Sequence, residues 1–208
     1  MILYVDRFWI SPYVFSCFVA LREKGIAFET RDVGLDRGDQ KTDDYRARSI
    51  TGRVPSLTDG DFSLAESQAI VEYLEDVQPT PPILPHDSKE RARARQLLAW
   101  IRSDLDALRA ERPTTTMFYD HTSVPLSKAG EAAAAKLVDV ASRLVPDGRT
   151  QLFGAWSIAD ADLAFMLHRL LLNGHDVPAK VRAFAETQWS RPSVAEFVRR
   201  ERPAYVAY

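Results

Sequence analysis

The amino-acid sequence predicts a small α/β unit over residues 1–78, a proline-rich connection over residues 79–87, and an all-helical unit over residues 88–208. Three observations carry that division. β-Branched, alternating and turn-forming segments are confined to the first part. The stretch Gln78-Pro-Thr-Pro-Pro-Ile-Leu-Pro85 then stops every periodicity, because proline at that density continues neither a helix nor a central strand. Beyond it, apolar residues recur at helical spacing.

Met1-Ile-Leu-Tyr-Val5 is β-branched and aromatic and opens the chain as a strand. A helix over residues 12–24 follows, with Phe15, Phe18, Val19 and Leu21 as its apolar positions and Gly25 as its stop. Residues 27–33 alternate as a second strand, and the polar residues 42–48 fit a short helix. Residues 55–58 and 62–64 flank Asp59-Gly60, which supplies the positive φ of a tight hairpin turn. A third helix spans Ser67–Val77 on Ile70, Val71, Tyr73 and Leu74, so the order is βαβα–ββα. In the second part, residues 88–112 read as one long amphipathic helix with Leu97, Leu98, Ile101, Leu105 and Leu108 on its stripe and Pro113 at its end. An alanine-rich helix over 127–144 follows, then a strongly apolar one over 157–172. Shorter helices are expected over 179–189 and 193–202.

Composition narrows the function classes. The 208 residues are 46% hydrophobic, and 27 Lys+Arg against 29 Asp+Glu leave a formal charge of −2. That balance gives no bulk attraction to nucleic acid or to an anionic membrane. Cys17 is the single cysteine, which excludes an intramolecular disulfide framework and a multi-cysteine metal site. No apolar run approaches the roughly 20 residues of a membrane helix, and the N-terminus lacks a basic region followed by a long apolar stretch. A cytoplasmic chain without membrane or nucleic-acid partners is expected. His86, His121, His168 and His175 lack metal-ligand spacing, so no metal is expected. The arginines of the long helix (Arg91, Arg93, Arg95, Arg102, Arg109) alternate with acids and fit a solvated or subunit-facing surface. Ser157-Ile-Ala-Asp160 has the form of a capping box and reads as structural.

Three short segments carry chemistry. Ser11-Pro12-Tyr13-Val14 stands where the first strand meets the first helix, with serine as a favoured cap and proline as a favoured first helical residue. A thiolate beside that helix start would be stabilised and its pKa lowered. Gly52-Arg53-Val54-Pro55-Ser56-Leu57 places a proline at strand entry; a cis bond there would leave the Val54 N–H and C=O facing outward, able to pair with an extended peptide-like ligand. Leu64-Ala65-Glu66-Ser67 opens the third helix with an acid and a hydroxyl beside free helix amides, a set suited to a ligand end that bears an ammonium and a carboxylate.

Together these segments resemble the cytosolic glutathione transferases, over the whole chain. Ser11-Pro12-Tyr13-Val14 looks like the glutaredoxin-type Cys-Pro-Tyr-Cys with both cysteines replaced. The strings Gly-x-Val-Pro-x-Leu and Glu-Ser-x-Ala-Ile-x-x-Tyr-Leu (residues 52–57 and 66–74) match that family. Arg102-Ser-Asp104 and Glu111-Arg-Pro-Thr114 look most like the bacterial YfcF-type subgroup. Ser49-Ile50 stands where many relatives have Asn-Pro, and no Ser-Ser-Cys string appears, which argues against the maleylacetoacetate-isomerase subgroup. The resemblance implies a thioredoxin-like N-terminal domain, a helical C-terminal domain and a homodimer. It further implies glutathione as co-substrate, with Ser11 at the activating position, Val54 and Pro55 on the cysteinyl unit, Glu66 and Ser67 on the γ-glutamyl end, and Arg53 as a charged anchor.

Tyr4 reads as core or rim and Cys17 as a buried structural thiol. Trp100, Met117 and Phe118 are candidates to line an apolar pocket for an electrophile. The expected activity is activation of the glutathione thiol for conjugation, or for reduction of hydroperoxides or disulfides. Two alternatives stand beside it, a non-catalytic binding or scaffold protein and a glutathione-dependent isomerase. Without a cysteine at position 11, a dithiol reductase using its own thiol there is not expected.

Overall fold

The computed structural model describes residues 1–208. Two compact units compose it, one of Met1–Ile83 together with Arg199–Tyr208, the other of Leu84–Val198.

The first unit contains β1 (Ile2–Asp6), α1 (Pro12–Glu23), β2 (Glu29–Val33), α2 (Asp43–Arg46), β3 (Ser56–Asp59), β4 (Phe62–Ala65) and α3 (Ser67–Val77), the order the sequence predicts. Two short 3-10 turns, Leu35–Arg37 and Asp39–Lys41, precede α2. The sheet runs β2-β1-β3-β4, with β2 parallel to β1 and the hairpin β3–β4 antiparallel to it. Strand alternation sends Leu3 and Val5 to the opposite face from Tyr4. Leu3 and Val5 are fully buried, as are Phe15 and Leu21 of α1 and Ile70 and Leu74 of α3. The Tyr4 ring instead meets Tyr45 of α2 edge-on at 5.9 Å.

The proline-rich stretch is fastened rather than loose in its first half. Lys24, with a side chain wholly out of solvent, pairs with Glu75 at 2.7 Å and donates to the carbonyls of Gln78 and Pro81 at 2.6 and 3.1 Å. Glu75 in turn accepts the Ile83 N–H at 3.1 Å. An ammonium buried this way is tolerated because each of its donors has an oxygen partner.

The helical unit contains α4 (Ser88–Ser103), α5 (Asp106–Glu111), α6 (Thr115–Phe118), α7 (Lys128–Leu144), α8 (Ile158–Leu171), α9 (Ala179–Trp189) and α10 (Pro192–Val198). The single helix expected over 88–112 is therefore two. Leu105 takes a left-handed φ of 65°, and the cause is Asp104. Its carboxylate accepts the Leu105 N–H at 2.7 Å and the Trp100 indole N–H at 2.9 Å, and Lys136 also bonds to it. A short acid that captures its neighbour's amide competes with the helix ladder and ends it. These donors, Lys136 foremost, hold the Asp104 carboxyl down at about 2. Arg109 then donates to the orphan Ile101 carbonyl at 2.7 Å.

Buried from Ile158 through Leu170, α8 is the centre of this unit. The capping box holds its start: Asp160 accepts from the Ser157 N–H at 2.8 Å and from the Ser157 hydroxyl at 2.9 Å, and its other oxygen accepts the Leu152 N–H at 2.7 Å. The helix expected over 193–202 stops at Val198; residues 199–208 carry no regular structure and belong to the first unit.

Candidate functional site

The strand register decides where the three chemical segments go. Tyr4 of β1 stands opposite Ser56 of β3, and Ser56 stands opposite Ala65 of β4. Because β1 and β4 end near this row while β3 begins in it, the residues just beyond it emerge at one edge of the sheet. They are the β1–α1 connection with Ser11, the Val54–Pro55 entry to β3, and Glu66–Ser67 after β4. Segments separated by tens of residues thus share one end of the fold.

Ser11 caps α1. Its Oγ accepts the Val14 N–H at 3.3 Å, and its own proton is donated to nothing in the chain. Asp6, fully buried at the end of β1, accepts the Ile10 and Ser11 N–H groups at 2.8 and 3.1 Å. The carboxylate therefore sets the backbone that presents Ser11. Sequence reasoning missed it; the only signal was an aspartate placed to accept the amides four and five residues on.

The Val54–Pro55 bond is cis, and Val54 lies outside the ladder that starts at Ser56. Behind it, the Arg53 carbonyl accepts from the Tyr45 hydroxyl at 2.9 Å and from Ser49 Oγ at 2.9 Å, and Ser49 Oγ accepts the Arg53 N–H at 3.2 Å. Ser49, the departure noted at this rim, is fully buried and holds the turn by these two bonds. The neighbouring Ile50 is 93% exposed. The Arg53 side chain is exposed and makes no bond within the chain.

Glu66 occupies the cap position of α3 with φ 72°, a left-handed conformation unusual for a residue with a side chain. Its carboxylate is exposed and makes no hydrogen bond or ion pair within the chain. Ser67 beside it is buried, and its carbonyl accepts the Cys17 thiol at 3.6 Å, which ties α1 to the start of α3. Two helix N-termini and one unpaired acid thus lie along the same edge, a combination suited to a ligand with anionic groups and one ammonium.

The three apolar candidates in the helical unit are not gathered in one cavity. Trp100 borders a cleft of about 360 Å³ between α4 and α7, lined also by Arg93, Gln96, Leu97 and Val140; Met117 and Phe118 are not among its lining residues. Met117 is buried, and Phe118 packs its ring against Phe165 of α8 at 6.0 Å. His168 stacks on Trp189 at 3.8 Å, and burial pushes its imidazole down to about 4. No three His, Cys, Asp or Glu side chains converge as a metal-holding group. No helix is long and apolar enough to cross a membrane.

Residues 7–82 match the N-terminal domain of glutathione S-transferase, and residues 87–202 match its C-terminal domain. The chain belongs to the glutathione S-transferase family. Among curated relatives, glutathione S-transferase Z2 of Arabidopsis thaliana is 40% identical over 41% of this chain and 38% of its own length. Maleylacetoacetate isomerase of Dictyostelium discoideum is 37% identical over 49% and 47%. The chain spans about half or less of the length of these curated relatives. Solved structures match almost throughout. A glutathione transferase homolog from a Burkholderia strain, BGR1, with bound glutathione, is 42% identical over 95% of both chains at a TM-score of 0.77. A maleylacetoacetate isomerase from Methylobacterium extorquens AM1, with bound malonate and glutathione, is 30% identical over 98% of this chain and 100% of its own at 0.76.

These relatives carry transferase and isomerase names and do not single out the YfcF-type subgroup. The segments read for that subgroup hold the helical unit together: Asp104 makes the α4–α5 joint, and Glu111 accepts the Ser127 N–H and hydroxyl at 2.7 and 2.6 Å. Nor does the missing Ser-Ser-Cys string keep isomerases out of this chain's relatives.

Proposed function

We propose that this transferase-family chain is an enzyme that binds glutathione and presents its sulfur, as thiolate, to an electrophilic carbon. The observation that carries the reading is the row Tyr4–Ser56–Ala65, which brings Ser11, Val54 and Glu66–Ser67 to one sheet edge. In this reading Glu66 takes the γ-glutamyl ammonium, while Ser67 and the first amides of α3 take its carboxylate. Val54 pairs by its backbone with the cysteinyl unit beside Pro55, and Arg53 offers charge to a ligand carboxylate. The Ser11 hydroxyl donates to the sulfur, and the start of α1 adds its positive end. Once the thiol proton has left to solvent, the sulfur lone pair forms the new S–C bond. The displaced electron pair leaves with a leaving group or moves along a conjugated double bond.

A second reading is favoured by the likeness to the Methylobacterium isomerase over nearly the full chain. The same thiolate would add to a cis double bond conjugated with a carbonyl. Rotation about the resulting single bond and expulsion of the thiolate would return the trans isomer and intact glutathione. Peroxide reduction, the homodimer and a cytoplasmic setting are proposed from the family alone.

The test supplies glutathione with aryl halides and with cis-unsaturated oxo-acids, then counts glutathione. Consumption of one glutathione per thioether supports the transferase reading. Turnover with glutathione undiminished moves the assignment to the isomerase. No turnover of any panel member, with no glutathione bound, would leave the scaffold alternative.

A further inference from the structure

Residues 199–208 fold back onto the connection that carries Ser11. Arg202 Nε donates to the Trp9 carbonyl at 3.1 Å, and its Nη1 donates to the Arg200 carbonyl at 2.8 Å. The Arg200 guanidinium lies 3.7 Å from the centroid of the Trp9 indole. Tyr208 stacks on Phe8 with centroids 6.0 Å apart and planes 6° from parallel, and Tyr205 meets the same ring edge-on at 5.2 Å. Each residue of the pair Phe8–Trp9 is thus engaged by an aromatic or cationic side chain of the tail.

The same connection is gripped by Asp6, whose two oxygens take the Ile10 and Ser11 amides. Trp9 lies between these grips with φ 53°, a left-handed value that a bulky aromatic residue keeps only where its surroundings over-determine it. Burial pushes the Asp6 carboxyl up, while the two amides and the charge of Arg202 oppose that rise. Arg202 therefore serves the connection twice, by bonding the Trp9 carbonyl and by offsetting the buried carboxylate.

We propose that Arg202 is a positioning residue for Ser11, closing with Asp6 a clamp that fixes residues 9–11 and aims the Ser11 hydroxyl at the glutathione sulfur. The proposal rests on the functional reading above. It assigns the tail a role at the sulfur end of the ligand and none at the γ-glutamyl end, where Glu66 and Ser67 act.

The test compares the wild-type full chain with Arg202→Ala and Arg202→Lys by amide hydrogen exchange, the pH titration of the bound thiol, glutathione affinity and turnover. In Arg202→Ala, exchange in peptides covering residues 6–14 should rise about tenfold while the rest of the chain keeps its protection. The bound thiol should titrate about half to one unit higher, leaving roughly three- to tenfold less thiolate below its pKa. Glutathione affinity should stay within about twofold. Arg202→Lys keeps the charge and loses the planar donor, so it should recover part of both effects. Unchanged exchange together with an unchanged thiol pKa would overturn the proposal. So would a loss of affinity that matches the loss of turnover, the mark of a merely structural role. Global loss of protection in Arg202→Ala transfers the decision to Arg202→Gln, read the same way. If wild type binds no glutathione, the functional reading fails by itself and exchange still decides: a rise confined to residues 6–14 supports the clamp, and no rise overturns it.

Discussion

Ser11 does two things with one oxygen. As an acceptor it caps α1 through the Val14 N–H, and in the proposed function it is also the donor to the glutathione sulfur. The two uses are compatible because a hydroxyl has two lone pairs and one rotatable hydrogen. Replacing Ser11 by Ala should raise the bound thiol's pKa by about one unit, worth about 1.4 kcal/mol, and slow turnover about tenfold below that pKa. The sign follows from the charge: the hydroxyl favours thiolate, so its loss is felt most at low pH and fades as pH climbs past the raised pKa. Loss of the cap should also lower folding stability by roughly 1 kcal/mol, read in urea. Ser11→Thr keeps donor and acceptor and should retain both properties. Unchanged rates in Ser11→Ala would pass activation to the amides of α1. Ser49 teaches a related lesson at the same scale, since it secures the Arg53 peptide with one hydroxyl that both donates and accepts.

Among the elements, those set by local pattern were readable and those set by a single side-chain bond were not. The β1, α1, β3–β4 and α3 segments follow from alternation, caps and the Asp59-Gly60 turn. The α4–α5 joint does not, because an apolar stripe continuing through Leu105 and Leu108 hides that Asp104 takes the next amide for itself. The proline-rich stretch was legible as a break but not as a fastened one, since its anchor is Lys24, a residue that ordinarily stays in water. Cutting Lys24 back to Ala would leave Glu75 buried without its partner and should cost about 3–5 kcal/mol. Thermal unfolding of Lys24→Ala beside a Lys24→Met, Glu75→Leu double variant checks this. The double variant should recover only part of the loss, because the Gln78 and Pro81 carbonyls and the Ile83 N–H lose their partners too, and a single variant as stable as wild type would contradict the buried-pair reading.

At the level of the whole molecule, the division into an α/β and a helical unit was legible because the prolines of residues 78–85 interrupt every period. The three segments of the proposed site were legible as motifs, yet their meeting at one edge depends on the strand register, which a sequence does not print. The local pattern reads as helix to residue 202, whereas the last helix ends at Val198. The tail's partners, Phe8 and Trp9, lie at the far end of the chain, Trp9 and Arg202 being 193 positions apart, and no local pattern reports a contact of that range. The helical-unit candidates Trp100, Met117 and Phe118 show the same limit from the other side, for apolar residues at helical spacing serve packing first. The proposed function stands on the sheet edge at Ser11, Val54 and Glu66–Ser67 being a glutathione site. Calorimetric titration of wild type and of a Glu66→Ala, Ser67→Ala double variant with glutathione tests it most directly. Wild type should bind glutathione saturably and the double variant should lose that binding, with the fold of both intact by circular dichroism. Absence of wild-type binding at millimolar glutathione, or undiminished binding by the double variant, would contradict it.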